Sequence, residues 1–128
     1  MKKIILLTVA FMFVAASGLA FDGITYYGAR ISAKDRVNSE GTPLTTLSAM
    51  LQQDRANYHK LKQRDREDQG ESYFTTVERR QLLSKARIKV DPQLKKKILN
   101  GRVQVVTVWV YGDGEMEVTE GLPAAGAD

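Results

Sequence analysis

The sequence predicts an α+β fold: two or three helices packed on a small antiparallel sheet that includes a C-terminal β-hairpin. Three observations predict it. A β-favouring run spans Ile24 to Ile31, capped amphipathic segments occupy the middle of the chain, and two strand-like runs flank an Asp-Gly pair near the end.

The first run, Ile-Thr-Tyr-Tyr-Gly-Ala-Arg-Ile, is rich in residues that suit a pleated, half-buried surface, and Gly28 within it points to a bulge or an edge. Asn38-Ser39-Glu40-Gly41 is a turn. Thr42 before Pro43 is a side-chain N-cap followed by proline at the first helical position. The helix predicted from there to about Arg64 carries Leu44, Leu47, Leu51, Tyr58 and Leu61 on one stripe, with Met50 beside it. Gln52, Gln53, Lys60, Lys62 and Gln63 form its solvated side.

Asp65 to Gly70 is a charged loop. Thr75 with Glu78 three residues on makes a capping box, which predicts a second helix through Arg87 with Val77, Leu82, Leu83 and Ala86 inward. Asp91-Pro92 repeats the cap-then-proline signal, opening a short third helix with Leu94, Ile98 and Leu99 apolar and Asn100-Gly101 closing it. Arg102 to Tyr111 is the strongest strand. A two-residue turn at Asp113-Gly114 would set Tyr111 opposite Met116 and Trp109 opposite Val118. That register places the helices on the face bearing Trp109, Tyr111, Met116 and Val118.

The chain of 128 residues has no cysteine and one histidine. Disulfide scaffolds, cysteine nucleophiles and thiolate zinc sites are thereby excluded, and no metal or cofactor is expected. Residues 1–20 read as a cleavable secretory signal peptide: Lys2-Lys3, an apolar run from Ile4 to Ala16, then Gly18-Leu19-Ala20 as a small-x-small cleavage step. The run is too short for a spanning helix, which needs roughly 20 apolar residues. Cleavage would release an exported protein, periplasmic or extracellular, with one domain over 21–120, a frayed tail over 121–128 and no stable membrane span.

Charge is unevenly placed. Residues 21–78 hold eight Lys/Arg against nine Asp/Glu, residues 79–102 nine against one, and residues 103–128 none against five. The basic stretch offers Arg79, Arg80, Lys95, Lys96, Lys97 and Arg102 as candidate binding residues for a protein partner or an anionic envelope component. Few aromatics are interleaved, which disfavours nucleic acid.

His59 is the natural suspect for catalysis because histidine titrates near neutral pH, with Asp54 or Asp35 as the carboxylate to orient it. No glycine-flanked serine or other nucleophile motif accompanies it. The 65–71 loop partly fits a calcium-binding pattern, with Asp65, Glu67 and Gln69 at the first ligand positions and Gly70 at the glycine. It then fails, because Thr76 stands where a bidentate glutamate must close the cage. Arg36, Asn38, Asp54, Arg55 and Asn57 could instead form a buried hydrogen-bond network holding the first loop to the first helix. Tyr26, Tyr27, Tyr73, Phe74, Trp109 and Tyr111 are core residues first and a stacking site second.

The reading that results is a small exported, non-catalytic binding or accessory protein. The alternatives are a small secreted hydrolase using His59, and an envelope polyanion or lipid binder acting through residues 79–102.

Overall fold

The computed structural model of the chain describes residues 23–112 and 114–124. The expected leader, Asp113 and the last four residues lie outside them.

Strand β1 (Thr25–Arg30) is followed by a short 3-10 turn at Ala33–Asp35 and by helix α1 (Leu47–His59). Helix α2 (Val77–Gln81), a second 3-10 turn at Leu82–Lys85, strand β2 (Arg87–Val90) and helix α3 (Pro92–Leu99) come next. Strands β3 (Val105–Val110) and β4 (Glu115–Glu120) close the fold. Among the described residues the architecture is α+β, with three helices and one four-stranded sheet of order β1-β3-β4-β2.

The sheet is mixed rather than purely antiparallel. β1 pairs with β3 and β3 with β4 antiparallel, but β2 runs parallel to β4. A parallel pair needs a crossover connection, and α3 with β3 supplies it. The second helix was predicted to run through Arg87, the first residue of β2. That helix stops at Gln81, and Ala86 is extended (ψ 145°), leaving Arg-Ile-Lys-Val to alternate exposed and half-buried along the sheet.

Both long-range cap predictions shift. The Thr46 hydroxyl, not that of Thr42, accepts from Ala49 N at 3.1 Å and opens α1. Asn38 Oδ1 accepts from the amides of Glu40 and Thr42, and Pro43 forms an isolated bridge with Val37, so these residues build a loop instead. α1 also ends five residues before Arg64, and Lys62 adopts φ 60°. Thr76, one residue after the expected cap, accepts from Arg79 N. Only the third helix begins as predicted, with Asp91 Oδ2 accepting from the amides of Gln93 and Leu94.

The hairpin register differs by one residue. Val110 faces Met116, Trp109 faces Glu117 and Val108 faces Val118. Tyr111 N donates to Glu115 O, Glu115 N donates to Gly112 O, and Gly114 sits at φ 75°. This is a three-residue loop with glycine in the left-handed position, a common alternative to the two-residue turn. A one-residue change moves a strand's side chains to opposite faces. The helices therefore cover Val106, Val108, Val110, Met116 and Val118, and Trp109 lies on the other face. There it stacks on Tyr26 at 5.1 Å and donates from Nε1 to Thr119 Oγ1 at 2.9 Å.

Tyr27, Ile31, Leu47, Leu51, Phe74, Leu83 and Ile98 complete the core between sheet and helices. Gly121 and Leu122, just beyond β4, are held against the sheet. Gly121 N donates to Val105 O, Gly121 O accepts from Thr107 Oγ1 at 2.6 Å, and Leu122 lies against Gly28. Among the described residues no helix is long and apolar enough to cross a membrane.

Candidate functional site

The inward stripe of α1 runs Leu47, Met50, Leu51, Asp54, Arg55 and Tyr58, a helical spacing in which two charged residues occupy core positions. Arg55 is fully buried. Its Nε donates to Asp54 Oδ2 at 2.8 Å, and its Nη1 donates to Glu71 Oε1 at 2.8 Å and to Gln69 O at 3.0 Å. The guanidinium carbon sits 3.9 Å from the Tyr27 ring centre and 4.6 Å from that of Tyr58.

Glu71 is the hub. Its Oε1 meets both Arg55 and His59 Nε2, the latter at 2.6 Å, and its Oε2 accepts from Phe74 N at 2.7 Å. Burial pushes the Glu71 carboxyl up, but these donors outweigh it and hold the group below the usual carboxylate range. Asp54 goes the other way. Burial, only partly offset by Arg55, pushes its carboxyl up to about 7, and its Oδ1 accepts no hydrogen bond. Asp35 is also raised by burial, against hydrogen bonds from Asn57 and Ser32.

Asn57 separately ties α1 to the first loop by donating from Nδ2 to Asp35 Oδ1 at 2.8 Å and to Lys34 O at 3.1 Å. Of the network expected to hold the first loop to the first helix, Asn57 makes that link, whereas Asp54 and Arg55 bond to each other and Arg55 to the 69–71 segment. Arg36 works elsewhere, tying Ile31 O to Ile98 O, and Asn38 serves its own turn. Glu71, Gln69 and Tyr27 were missed. Asp54 and Arg55 were expected in a buried network, but nothing local marks a loop glutamate as the partner of Arg55.

This geometry separates His59 from the two carboxylates suspected of orienting it. Asp54 is bonded to Arg55, and Asp35 to Asn57 and Ser32. The ring contacts of His59 are Glu71 and an edge-on Tyr58 at 5.0 Å. The imidazole thus fastens the end of α1 to the loop.

The 65–71 loop is a strap laid along β1. Glu67 clamps Arg30 through both carboxylate oxygens at 2.8 Å, Asp68 Oδ1 accepts from Arg30 N at 2.8 Å, and Asp65 Oδ2 takes Ser32 Oγ at 2.7 Å and Lys34 Nζ. The Glu67 carboxyl is pulled down to about 2 by its hydrogen bonds from Arg30. The acids of the calcium-like pattern thus bind cations and amides of the protein itself. Among the described residues no group of three or more His, Asp or Glu is placed to hold a metal ion.

The basic stretch divides among three elements. Arg80 is a correction: it is buried, and its Nη1 donates to Phe74 O and Thr75 O at 3.1 Å each, so it braces a loop and leaves the surface. Arg79 is exposed over the Tyr73 ring at 4.2 Å. Lys95, Lys96 and Lys97 are exposed between Leu94 and Ile98, which point into the core, and Arg102 is exposed in the following turn. None of these five cations has an ion-pair partner among the described residues.

An open crevice of about 520 Å³ lies where β2 turns into α3, lined by Val90, Pro92, Leu94, Glu117 and Val118 among others. Its lining includes none of the candidate catalytic or binding residues His59, Asp54, Arg79, Arg80, Lys95, Lys96, Lys97 and Arg102. Compared with protein-family models, curated proteins and solved structures, the chain finds no match.

Proposed function

We propose that this is a small exported binding protein, without catalysis of its own, that docks an acidic protein partner through α3 and the turn to Arg102. The observation that carries this is the contrast in how cations are used. Arg30, Lys34 and Arg55 are engaged by the protein's own carboxylates, whereas Lys95, Lys96, Lys97 and Arg102 are exposed and without an ion pair among the described residues. Exposed charges left unmatched raise the rate and selectivity of encounter with an opposite surface.

Three consecutive lysines spread around a helix turn cannot all meet a flat bilayer at once, which favours a protein partner over a lipid surface. The non-catalytic reading is favoured over the hydrolase because no nucleophile motif accompanies His59 in the sequence and His59 does not line the crevice between β2 and α3. The leader at residues 1–20 supports export.

The test compares the wild-type chain with K95E/K96E/K97E in envelope extracts, with crosslinking to identify the bound protein. An acidic partner captured by wild type, released by salt and lost in the variant is the expected result. Capture that survives charge reversal would exclude this surface. Equal, salt-sensitive retention on anionic-lipid vesicles in place of a protein would favour the lipid reading. Intact mass spectrometry of native material with Met1 still attached would remove export.

A further inference from the structure

The sheet has two edges, and they are treated differently. On β1, the outward backbone groups Gly28 N, Gly28 O and Arg30 N are all occupied by the strap. Gln69 Oε1 accepts from Gly28 N at 2.8 Å, Gln69 N donates to Gly28 O at 2.9 Å, and Asp68 Oδ1 accepts from Arg30 N at 2.8 Å. A strand neighbour would use the same groups. The strap is nevertheless not a strand, since two of the three bonds come from side chains. Its attachments elsewhere are side-chain clamps: Asp65 on Ser32 and Lys34, Glu67 on Arg30, and Glu71 on Arg55.

We propose that the β1 edge is a strand-pairing surface that the chain closes against itself, and that the partner the strap excludes is the β1 edge of a second copy. Antiparallel self-pairing centred on Gly28 sets Tyr26 of each copy opposite Arg30 of the other, an aromatic–cation pairing with no like charges opposed. The glycine at the centre adds no side chain to the crossing. The β2 edge cannot pair with itself so well. It is four residues long, and pairing centred on Ile88 would oppose Arg87 and Lys89, which share one face. Shortness and like charge are standard protection for an edge strand. β2 is thus guarded by its own composition, whereas β1, longer and nearly uncharged, is guarded by the strap. Displacing residues 67–70 would open it at the cost of the bond from Arg55 Nη1 to Gln69 O, while the Glu71–Arg55 contact remains.

The test is D68A/Q69A in the full chain, which removes both side-chain acceptors from the edge. At dilutions where the variant is monomeric, amide exchange at Gly28 and Arg30 should accelerate by about tenfold or more. Light scattering should show a concentration-dependent dimer, with NOEs between isotope-labelled and unlabelled copies at Gly28. Q69A alone, which keeps the Asp68 and Glu67 contacts, should show both effects more weakly, and it stands in if the double variant fails to fold. Amides that open while the protein stays monomeric at every concentration would overturn the self-pairing. Amides that keep their protection in the dilute monomer would show that the strap is not the seal.

Discussion

Removing Glu71 tests whether the buried charges act as one unit. Its side chain is 2% exposed and joins three donors, Arg55 Nη1, His59 Nε2 and Phe74 N. Glu71→Ala leaves the Arg55 guanidinium in the core with Asp54 as its sole acidic hydrogen-bond partner, and strands the Phe74 amide. Taking one partner from a buried ion pair costs about 3–5 kcal/mol. Domains of this size lose about 4–8 °C of Tm per kcal/mol, so the expected fall is at least about 12 °C.

Urea unfolding followed by Trp109 fluorescence gives the loss directly, and an unchanged m-value shows that the same two states are compared. Glu67→Ala is the control, because the Glu67–Arg30 pair is open to solvent and should move the midpoint far less. A loss below about 1 kcal/mol for E71A, within the range of an exposed pair, would refute the reasoning. The charges around Arg55 would then be solvated, and the network would not organise the fold.

Asp54, with its folded carboxyl near 7 against an ordinary 3.8, makes stability fall as pH rises through that window, so D54N should gain on wild type at pH 8 relative to pH 4. Asp65, Glu67 and Glu71 are held below their ordinary values and act in the opposite sense, their contribution being lost as pH falls into the acid range; parallel urea midpoints for D54N and wild type across pH would contradict the Asp54 assignment. Gly28→Ala would place a Cβ 2.5 Å from Leu122 Cδ2 and 3.2 Å from the Gln69 side chain, an overpacking cost of about 1–3 kcal/mol that L122A should partly relieve in calorimetry. K95E/K96E/K97E should leave the thermal midpoint nearly unchanged, because all three lysines are exposed; a large drop would mean that they support the helix and would void their use as a binding test.

Local physics in the sequence determined the kinds of element and several of their ends. The β-run at 24–31, the amphipathic stripe of α1, the Asp91-Pro92 cap and the valine-rich β3 were all legible, because each depends on residues within a turn or two of one another. Asp54 and Arg55 were legible only as polar residues suited to a buried network. Only the tertiary structure decided what met them. Glu71 reaches Arg55 across sixteen positions, and Asp68 reaches the β1 edge across thirty-eight. No local pattern encodes a partner that distant. The hairpin turned on whether Gly114 took the second position of a two-residue turn or the left-handed position of a three-residue one, a choice close in energy locally. The valines of β3 and β4 made the decision, since only one register buries them together against the helices. The end of α2 and the start of β2 were decided in the same way, by an open edge on β4 that the sequence around Arg87 could not announce.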